Sequence, residues 1–378
     1  MNTPSTAALE EYADKASTLL RQLPDGDATV FADNLAVAMT SVGEDIGRWP
    51  VSVVDDEDAR DLAWVVSAHT AYCRYASEEM RRHFPGLPAL AAEPAIRAVG
   101  AWLRHARIDR AVTLNQWLLS TNLYPPFDGA ILRRNIDEAL QRWPDHALWL
   151  RSLNPSHHAS WLRALQEAGF VLLPSRQVYL LDDPDAAARR HRDLHNDLRL
   201  LRPERMRQAE LEMVGDDAFD EAGYEAAAEL YSCLYISKYS ACNPRYSVAF
   251  MRAWHRAGLL VLRGFRDMDG QWLGVGGAFN LGGVSSSPVV GYDTSQPLKR
   301  GLYRRITAAL LSQARERGLR INFSGGSAYF KRQRGSRAEI EYSAVHVRHL
   351  PAFRQRGVSW LAGLCQRLAV PLMRRWEL

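Results

Sequence analysis

Two hydrophobic periods alternate along this chain, and each change of period marks an element. Residues 6–23 place their apolar positions at helical spacing, and residues 33–42 mix helical pattern with loop. Trp49–Val54 is a short apolar run and predicts a strand. The acidic stretch Asp55–Asp58 predicts a cap for a helix over 57–83, rich in Ala, Arg and Glu, and another helix is predicted over 93–106. From residue 110 the pattern becomes regular. Residues 110–119 predict an apolar strand, Ser120-Thr121-Asn122 and Pro125-Pro126 a loop, 128–143 a helix, 146–153 a strand, 156–168 a helix and 171–181 a strand.

A similar order returns downstream. Two helices, 224–237 and 247–257, precede strands at 258–266 and 272–280, and Asp267-Met268-Asp269-Gly270 between those strands is a hairpin turn. Then come a strand at 288–293, a helix at 302–317, a strand at 319–323, a short helix at 328–334 and a strand at 338–347. The repeat is one of element order, not residue identity. It predicts an α/β (α+β) chain of two tandem modules, each a mixed central sheet flanked by helices. The expected boundaries are 1–181 for an N-terminal module with a helical extension, 182–222 for a basic linker, and 223–378 for the C-terminal module. The linker carries Arg189, Arg190, Arg192, Arg199, Arg202, Arg205 and Arg207 among several acids. It reads as a solvated helix between domains, or as a basic lip for a phosphate-bearing donor.

Composition adds bounds. A chain of 378 residues, 47% hydrophobic and 24% charged, has core enough for two domains. A net charge of +4 neither demands nor excludes an RNA partner. Cys73, Cys233, Cys242 and Cys365 are widely spaced with no CxxC, which predicts reduced thiols and a cytoplasmic location and argues against a zinc ribbon. No apolar run is long enough for a membrane span, and residues 1–11 lack the pattern of a signal peptide.

Residues 320–335 hold the densest chemistry. A short strand runs into Ser324, Gly325, Gly326 and Ser327, and a compact helix follows with Tyr329, Lys331, Arg332 and Arg334 before Gly335. Small residues let a ligand approach the backbone closely, and a helix start favours an anion. The stretch is therefore a place to hold an acyl donor or an anionic substrate. His157-His158 and the pair His346 and His349 have no third ligand at a telling spacing, so no metal is expected. No Gly-x-Ser-x-Gly elbow or phosphate-binding P-loop occurs.

The strand ending in Gly291-Tyr292-Asp293 and the helix Ala328-Tyr329-Phe330-Lys331-Arg332-Gln333-Arg334-Gly335 resemble the GNAT acyltransferase fold. More narrowly they resemble the branch that pairs GNAT-like modules and includes the Fem-type aminoacyl transferases. Residues 224–350 carry most of the likeness. Residues 110–181 carry less, through Asn154, Ala159 and Gly169-Phe170. The resemblance implies direct acyl transfer to an amine, in a gap where two parallel strands splay and backbone N–H groups bind the acyl carbonyl. The chain departs from the family where coenzyme A pyrophosphate is usually held. In place of a Gln/Arg-x-x-Gly-x-Gly/Ala stretch it has Gln296-Pro297-Leu298-Lys299-Arg300-Gly301-Leu302-Tyr303, with one glycine. Lys299, Arg300 and Gly301 are left there to hold phosphate by charge and dipole. The equivalent stretch of the first module, Tyr124-Pro125-Pro126-Phe127-Asp128-Gly129, has no cation, so that module reads as a degenerate partner that shapes the groove.

Asp293 is a candidate base or ammonium anchor, or else a turn cap before Ser295 and Pro297. Tyr329 matches the GNAT general acid, and Tyr303 begins the crossover helix; either is otherwise a packed ring with its hydroxyl at the rim. Ser324, Gly325, Gly326, Lys331 and Arg334 join Lys299, Arg300 and Gly301 as donor-binding candidates. Acceptor candidates are Asn115, Trp117 and Asn122 in the first module, Lys238, Tyr239 and Asn243 in a polar loop, and Tyr292, Glu341 and Tyr342 on strands. The expectation is an N-acyltransferase with an acyl-coenzyme A (acetyl-coenzyme A included) or other phosphopantetheine thioester as donor. Its acceptor is an amine of a small metabolite or peptide-like molecule. The alternatives are an aminoacyl-tRNA donor and a non-catalytic binding protein. An acyl carrier protein is a further candidate partner, and the chain is expected to act as monomer or homodimer.

Overall fold

The computed structural model describes residues 6–55, 61–83 and 86–376. They form two compact units. Unit one takes residues 6–176, 240–244 and 340–376, and unit two takes 177–239 and 245–339. The strands in chain order are β1 (Ala38–Val42), β2 (Trp49–Val54), β3 (Ala111–Leu114), β4 (Ala147–Leu153), β5 (Val171–Leu181), β6 (Leu211–Val214), β7 (Val261–Asp267), β8 (Trp272–Leu281), β9 (Val284–Tyr292), β10 (Arg320–Asn322) and β11 (Arg337–His346). Two of them, β5 and β11, contribute residues to both units.

In unit one the strand order is β1-β2-β3-β4-β11. Only β3 and β4 run parallel, and the other neighbours are antiparallel. Every residue of β2, β3 and β4 is buried, which explains their unbroken apolar runs. The crossover from β3 to β4 is the helix Gly129–Arg142. Its start is fixed by the Asp128 side chain, which accepts from the Ala130 and Ile131 N–H groups. Leu103, Ile108, Trp149, Val345 and Leu361 form its core.

In unit two the order is β5-β10-β9-β8-β7-β6. Here β9 and β10 are the parallel pair, joined by the crossover helix Leu302–Glu316, and the rest is antiparallel. Glycines on β8 let that helix sit close. A Cβ on Gly276 would lie 2.7 Å from Ile306 Cγ2 and 2.9 Å from Leu310 Cδ1. Phe265, Leu273, Ile306 and Leu310 pack together beneath it.

Several expected elements differ. Residues 56–60 of the expected 57–83 helix lie outside the described residues. Residues 61–67 are turn and irregular chain, with 62–66 all buried, and helix begins only at Ala68, widens over Thr70–Tyr75 and continues as Ala76–His83. The strand expected over 110–119 stops at Leu114, because Asn115 (φ 55) and Leu118 (φ 60) adopt left-handed backbone. Residues 38–42 are a strand paired to 49–53, not part of a helical pattern. The stretch 182–222 carries the helices Pro184–Arg190, Arg192–Arg199 and Pro203–Gln208, then β6 on β7. The helix Glu221–Tyr231 widens through Ser232–Tyr239, which places Lys238 and Tyr239 on helix rather than loop. The short helix ends at Arg332. All four cysteines are free thiols. Among the described residues no helix is long and apolar enough to cross a membrane.

Candidate functional site

The parallel pair of unit two separates early. Its register runs Arg320↔Val284, Ile321↔Ser285 and Asn322↔Ser286, while β9 continues to Tyr292. Past Asn322 the chain follows β5 instead: Phe323 N–H donates to Tyr179 O at 2.9 Å, and Tyr179 N–H donates to Ser324 O at 3.2 Å. β9 also bulges at this level. Gly277 pairs with Val289 and Phe279 with Ser286, so three steps on β9 oppose two on β8. The β10-facing edge of β9 beyond Ser286 is thus left without a strand partner. The Ser286 hydroxyl, at the last paired position, is buried and has no hydrogen-bond partner.

The bend Ser324–Ser327 follows directly where β10 leaves β9. Ser324 (φ 58), Gly326 (φ 73) and Ser327 (φ 50) all hold left-handed backbone. The bend is pinned from inside. Lys331 is 6% exposed, and its ammonium donates to Phe323 O (2.7 Å), Ser324 O (3.2 Å) and Gly325 O (2.6 Å). It also lies 5.4 Å from the Tyr179 ring centroid. The Lys331 donors therefore serve the bend's own carbonyls.

Tyrosines line the neighbourhood. Tyr292, at the end of β9, lies 6.0 Å from Tyr303, and Tyr303 lies 4.8 Å from Phe330, centroid to centroid. Burial pushes the Tyr303 hydroxyl's pKa up, opposed by a hydrogen bond with the Ser327 side chain, so the phenol keeps its proton. Burial likewise raises Tyr292, helped by the neighbouring Tyr239. Tyr239 is 39% exposed and Tyr329 70% exposed.

Asp293 is a half-buried turn cap as well as a carboxylate at the end of β9. Its Oδ1 accepts from Ser295 N (2.9 Å) and Ser295 Oγ (2.6 Å), and its Oδ2 from Gln296 Nε2 (2.7 Å). The Ser295 and Gln296 bonds hold it below the usual carboxylate range. That suits an ammonium anchor better than a proton acceptor. Gly301 (φ 62) opens the crossover helix with left-handed backbone, as only glycine does readily. Lys299 is exposed, while Arg300 is engaged by Gln296 Oε1 at 3.0 Å and by Glu210. Arg334 is 5% exposed and donates to buried Asp197 at 2.6 Å. Asp197 also takes Arg304. Lys238 is exposed.

The remaining candidates belong to unit one. Asn115 is buried, accepts from Tyr12 Oη (2.6 Å) and Trp117 Nε1 (2.8 Å), and donates to Leu123 O (3.1 Å). Trp117 is fully buried, and its N–H donates to Asn122 Oδ1 at 3.2 Å. Asn243 Oδ1 accepts from Trp64 Nε1 at 2.9 Å. Glu341 is 1% exposed and pairs with Arg176 at 2.9 Å. Tyr342 is half-buried opposite Leu153. Sequence reasoning missed Ser286, Asp197, Arg151 and Arg176. One signal was legible: Arg151 stands alone in the apolar run Ala-Leu-Trp-Leu-Arg-Ser-Leu of β4.

No protein-family model matches the chain, and no curated protein does. Solved structures do. The chain is similar to FemX with a TM-score of 0.51 at 11% identity, over 91% of this chain and 96% of that one. It is also similar to the C-terminal domain of a candidate lysylphosphatidylglycerol synthetase from Agrobacterium fabrum, with a TM-score of 0.50 at 11% identity, over 96% of this chain and 97% of that one. At such identities the likeness establishes the fold alone: it is GNAT-like and related to that of FemX.

Proposed function

We propose that the chain is an acyl or aminoacyl transferase, with the acyl carbonyl held in unit two where β9 and β10 part. The single observation that carries this reading is the register. Parallel pairing ends at Asn322↔Ser286 while β9 runs on to Tyr292, next to a bulge, and a bend of small residues follows β10 at that point. Attack of an amine on an activated carbonyl needs donors for the developing oxyanion, a place for the ammonium proton and an acid for the leaving group. The unpaired edge of β9 and the Ser286 hydroxyl supply donors, though Pro288 has no N–H to give. Asp293, kept charged by Ser295 and Gln296, steers and holds an ammonium, which gives its proton to solvent water before the free amine attacks. Tyr303, which retains its proton, serves as the acid, with Tyr329 on the exposed rim. Lys331 positions the bend without touching substrate.

The donor in this reading is an acyl thioester of the phosphopantetheine class, with Lys299 and the start of the 302–316 helix meeting its phosphates. A second reading takes an aminoacyl-tRNA. What favours it is the exposed set Arg189, Arg190, Arg192, Arg199, Arg202, Arg205 and Arg207, together with an Arg300 already engaged by Gln296 and Glu210. The test is transfer of a labelled acyl group to a panel of amines, from acyl-coenzyme A and from charged tRNA. Wild type, Tyr303→Phe and Asp293→Asn are compared. The reading expects turnover with one donor class, a loss of about tenfold or more in kcat for Tyr303→Phe, and a rise mainly in KM for Asp293→Asn. Unchanged kinetics in both variants would remove the site from unit two.

A further inference from the structure

We propose that unit one carries a subsite for a single anionic group, a carboxylate or a phosphate, built on Arg151, Arg176 and the Asn122 side-chain amide. The two arginines share one aromatic ring. The Arg151 guanidinium lies 4.9 Å from the Trp64 ring centroid and that of Arg176 lies 5.0 Å from it. Trp64 is held in place by its Nε1 bond to Asn243 Oδ1.

Charge in this cluster does not balance. Arg151 is 9% exposed and the Arg176 side chain 19%, yet one carboxylate, Glu341, answers both. Glu341 lies 2.9 Å from Arg176 Nε, and Arg176 Nη2 donates to Ser120 O (2.6 Å) and Thr121 Oγ1 (3.0 Å). Arg151 Nη1 donates to Val65 O at 2.7 Å, and its side chain has no other acceptor among the described residues. On the helix Ala76–His83, Glu79 pairs with Arg82 and Glu78 accepts from the Cys242 thiol. Among the described residues one buried positive charge is left over, and a buried uncompensated charge is strongly unfavourable unless a counter-charge joins it.

Asn122 gives an independent indication. It is 1% exposed, and its Nδ2 has no hydrogen-bond partner. Its neighbours Ser120 and Thr121 grip Arg176, while its own N–H donates to Ser152 Oγ, next to Arg151, at 3.0 Å. The backbone of Asn122 thus ties the loop that grips Arg176 to the residue after Arg151. The backbone explains the placement. β3 stops pairing with β4 at Leu114↔Leu150, so Arg151 is the first residue past that pair. There β4 bulges: Leu150 faces Ala344 and Leu153 faces Tyr342, with Ser152 at φ 66. In unit one, as in unit two, the parallel pairing stops before the longer strand ends, and Arg151 lies at that point of β4. The planar forks of guanidiniums suit carboxylate and phosphate.

The experiment is thermal unfolding and titration calorimetry of the full chain with inorganic phosphate and, separately, N-acetylglycine, at fixed ionic strength. Wild type, Glu341→Gln and Arg176→Gln are compared. The proposal expects saturable binding of at least one probe. Glu341→Gln, which removes the carboxylate paired with Arg176, tightens it by about tenfold, and Arg176→Gln weakens it by about tenfold or more. Saturation by phosphate alone assigns a phosphate-bearing ligand, and saturation by N-acetylglycine alone assigns a carboxylate. Should Arg176→Gln fail to fold, Arg176→Lys keeps the charge, loses the fork, and weakens binding in the same direction. No saturable binding of either probe to wild type and Glu341→Gln, or binding that Arg176 substitution leaves unchanged, overturns the proposal. None of these readouts involves transfer in unit two, so its failure and that of the transferase reading are distinguishable.

Discussion

Replacing Lys331 by Met removes an ammonium and keeps most of the side-chain volume. The ammonium serves Phe323 O, Ser324 O and Gly325 O. Ser324 O keeps a donor in Tyr179 N–H at 3.2 Å, so the variant orphans two carbonyls, not three. Each of these half-buried carbonyls left unpaired costs about 1–2 kcal/mol. Losing the contact with the Tyr179 ring adds about 0.5–1 kcal/mol. Against this, the folded state no longer buries an ammonium, which returns part of the loss. The net expectation is a destabilisation of about 2–4 kcal/mol confined to unit two. Urea unfolding followed through that unit's transition measures it. Amide exchange at Phe323 and Tyr179 should accelerate, because the Tyr179 N–H donates to Ser324 O in the bend and the Phe323 N–H, at the entrance to the bend, donates to Tyr179 O. Transfer should fall through kcat rather than KM, since the bend is displaced while the donor surface remains. A stability change below about 0.5 kcal/mol with unaltered exchange would refute the assignment of Lys331 to the bend.

Other outcomes follow from the same geometry. Asp197→Asn leaves Arg334 and Arg304 facing a neutral acceptor in a buried setting, and should cost about 3–5 kcal/mol by urea unfolding. Gly276→Val places a Cβ 2.7 Å from Ile306 Cγ2 and should destabilise unit two by about 2–4 kcal/mol, with Ile306→Ala in the same chain recovering part of it. Burial, with His349 and Arg348 nearby, lowers His346 from 6.5 to about 4. The folded state holds it neutral where the unfolded chain takes up a proton. Stability is therefore full above about pH 6.5 and falls as pH drops toward 4, by of order 1–3 kcal/mol. His346→Asn should flatten that slope in thermal scans from pH 7 to pH 4.

Sequence patterns located the elements whose partners lie close in the chain. The hairpin β7–β8 is announced by Asp267–Gly270, and Gly270 does take positive φ there. The helix 302–316 shows its apolar face plainly and ends just before Gly318, which takes φ 64. Residues 115–119, expected as strand, and 62–66, expected as helix, misled because they are buried loops, and a buried loop can be as apolar as a strand or a helix face. The strand β6 was invisible inside an arginine-rich stretch, since two of its four residues are exposed. At the candidate site the bend 324–327 was legible from its small residues. The direction of Lys331 was not, because composition does not say whether an ammonium faces a ligand or the chain's own carbonyls. The Arg151 and Arg176 pair was hidden for a different reason: the two residues meet only through Trp64 and Glu341, which are far away in sequence.

Amide exchange of the full chain, with and without saturating acyl-coenzyme A or charged tRNA, addresses the carbonyl cradle of unit two most directly. Protection concentrated at residues 286–292 and 323–329 under one of the two donors is the predicted result. Donor binding that leaves both segments unprotected while shielding others would contradict it.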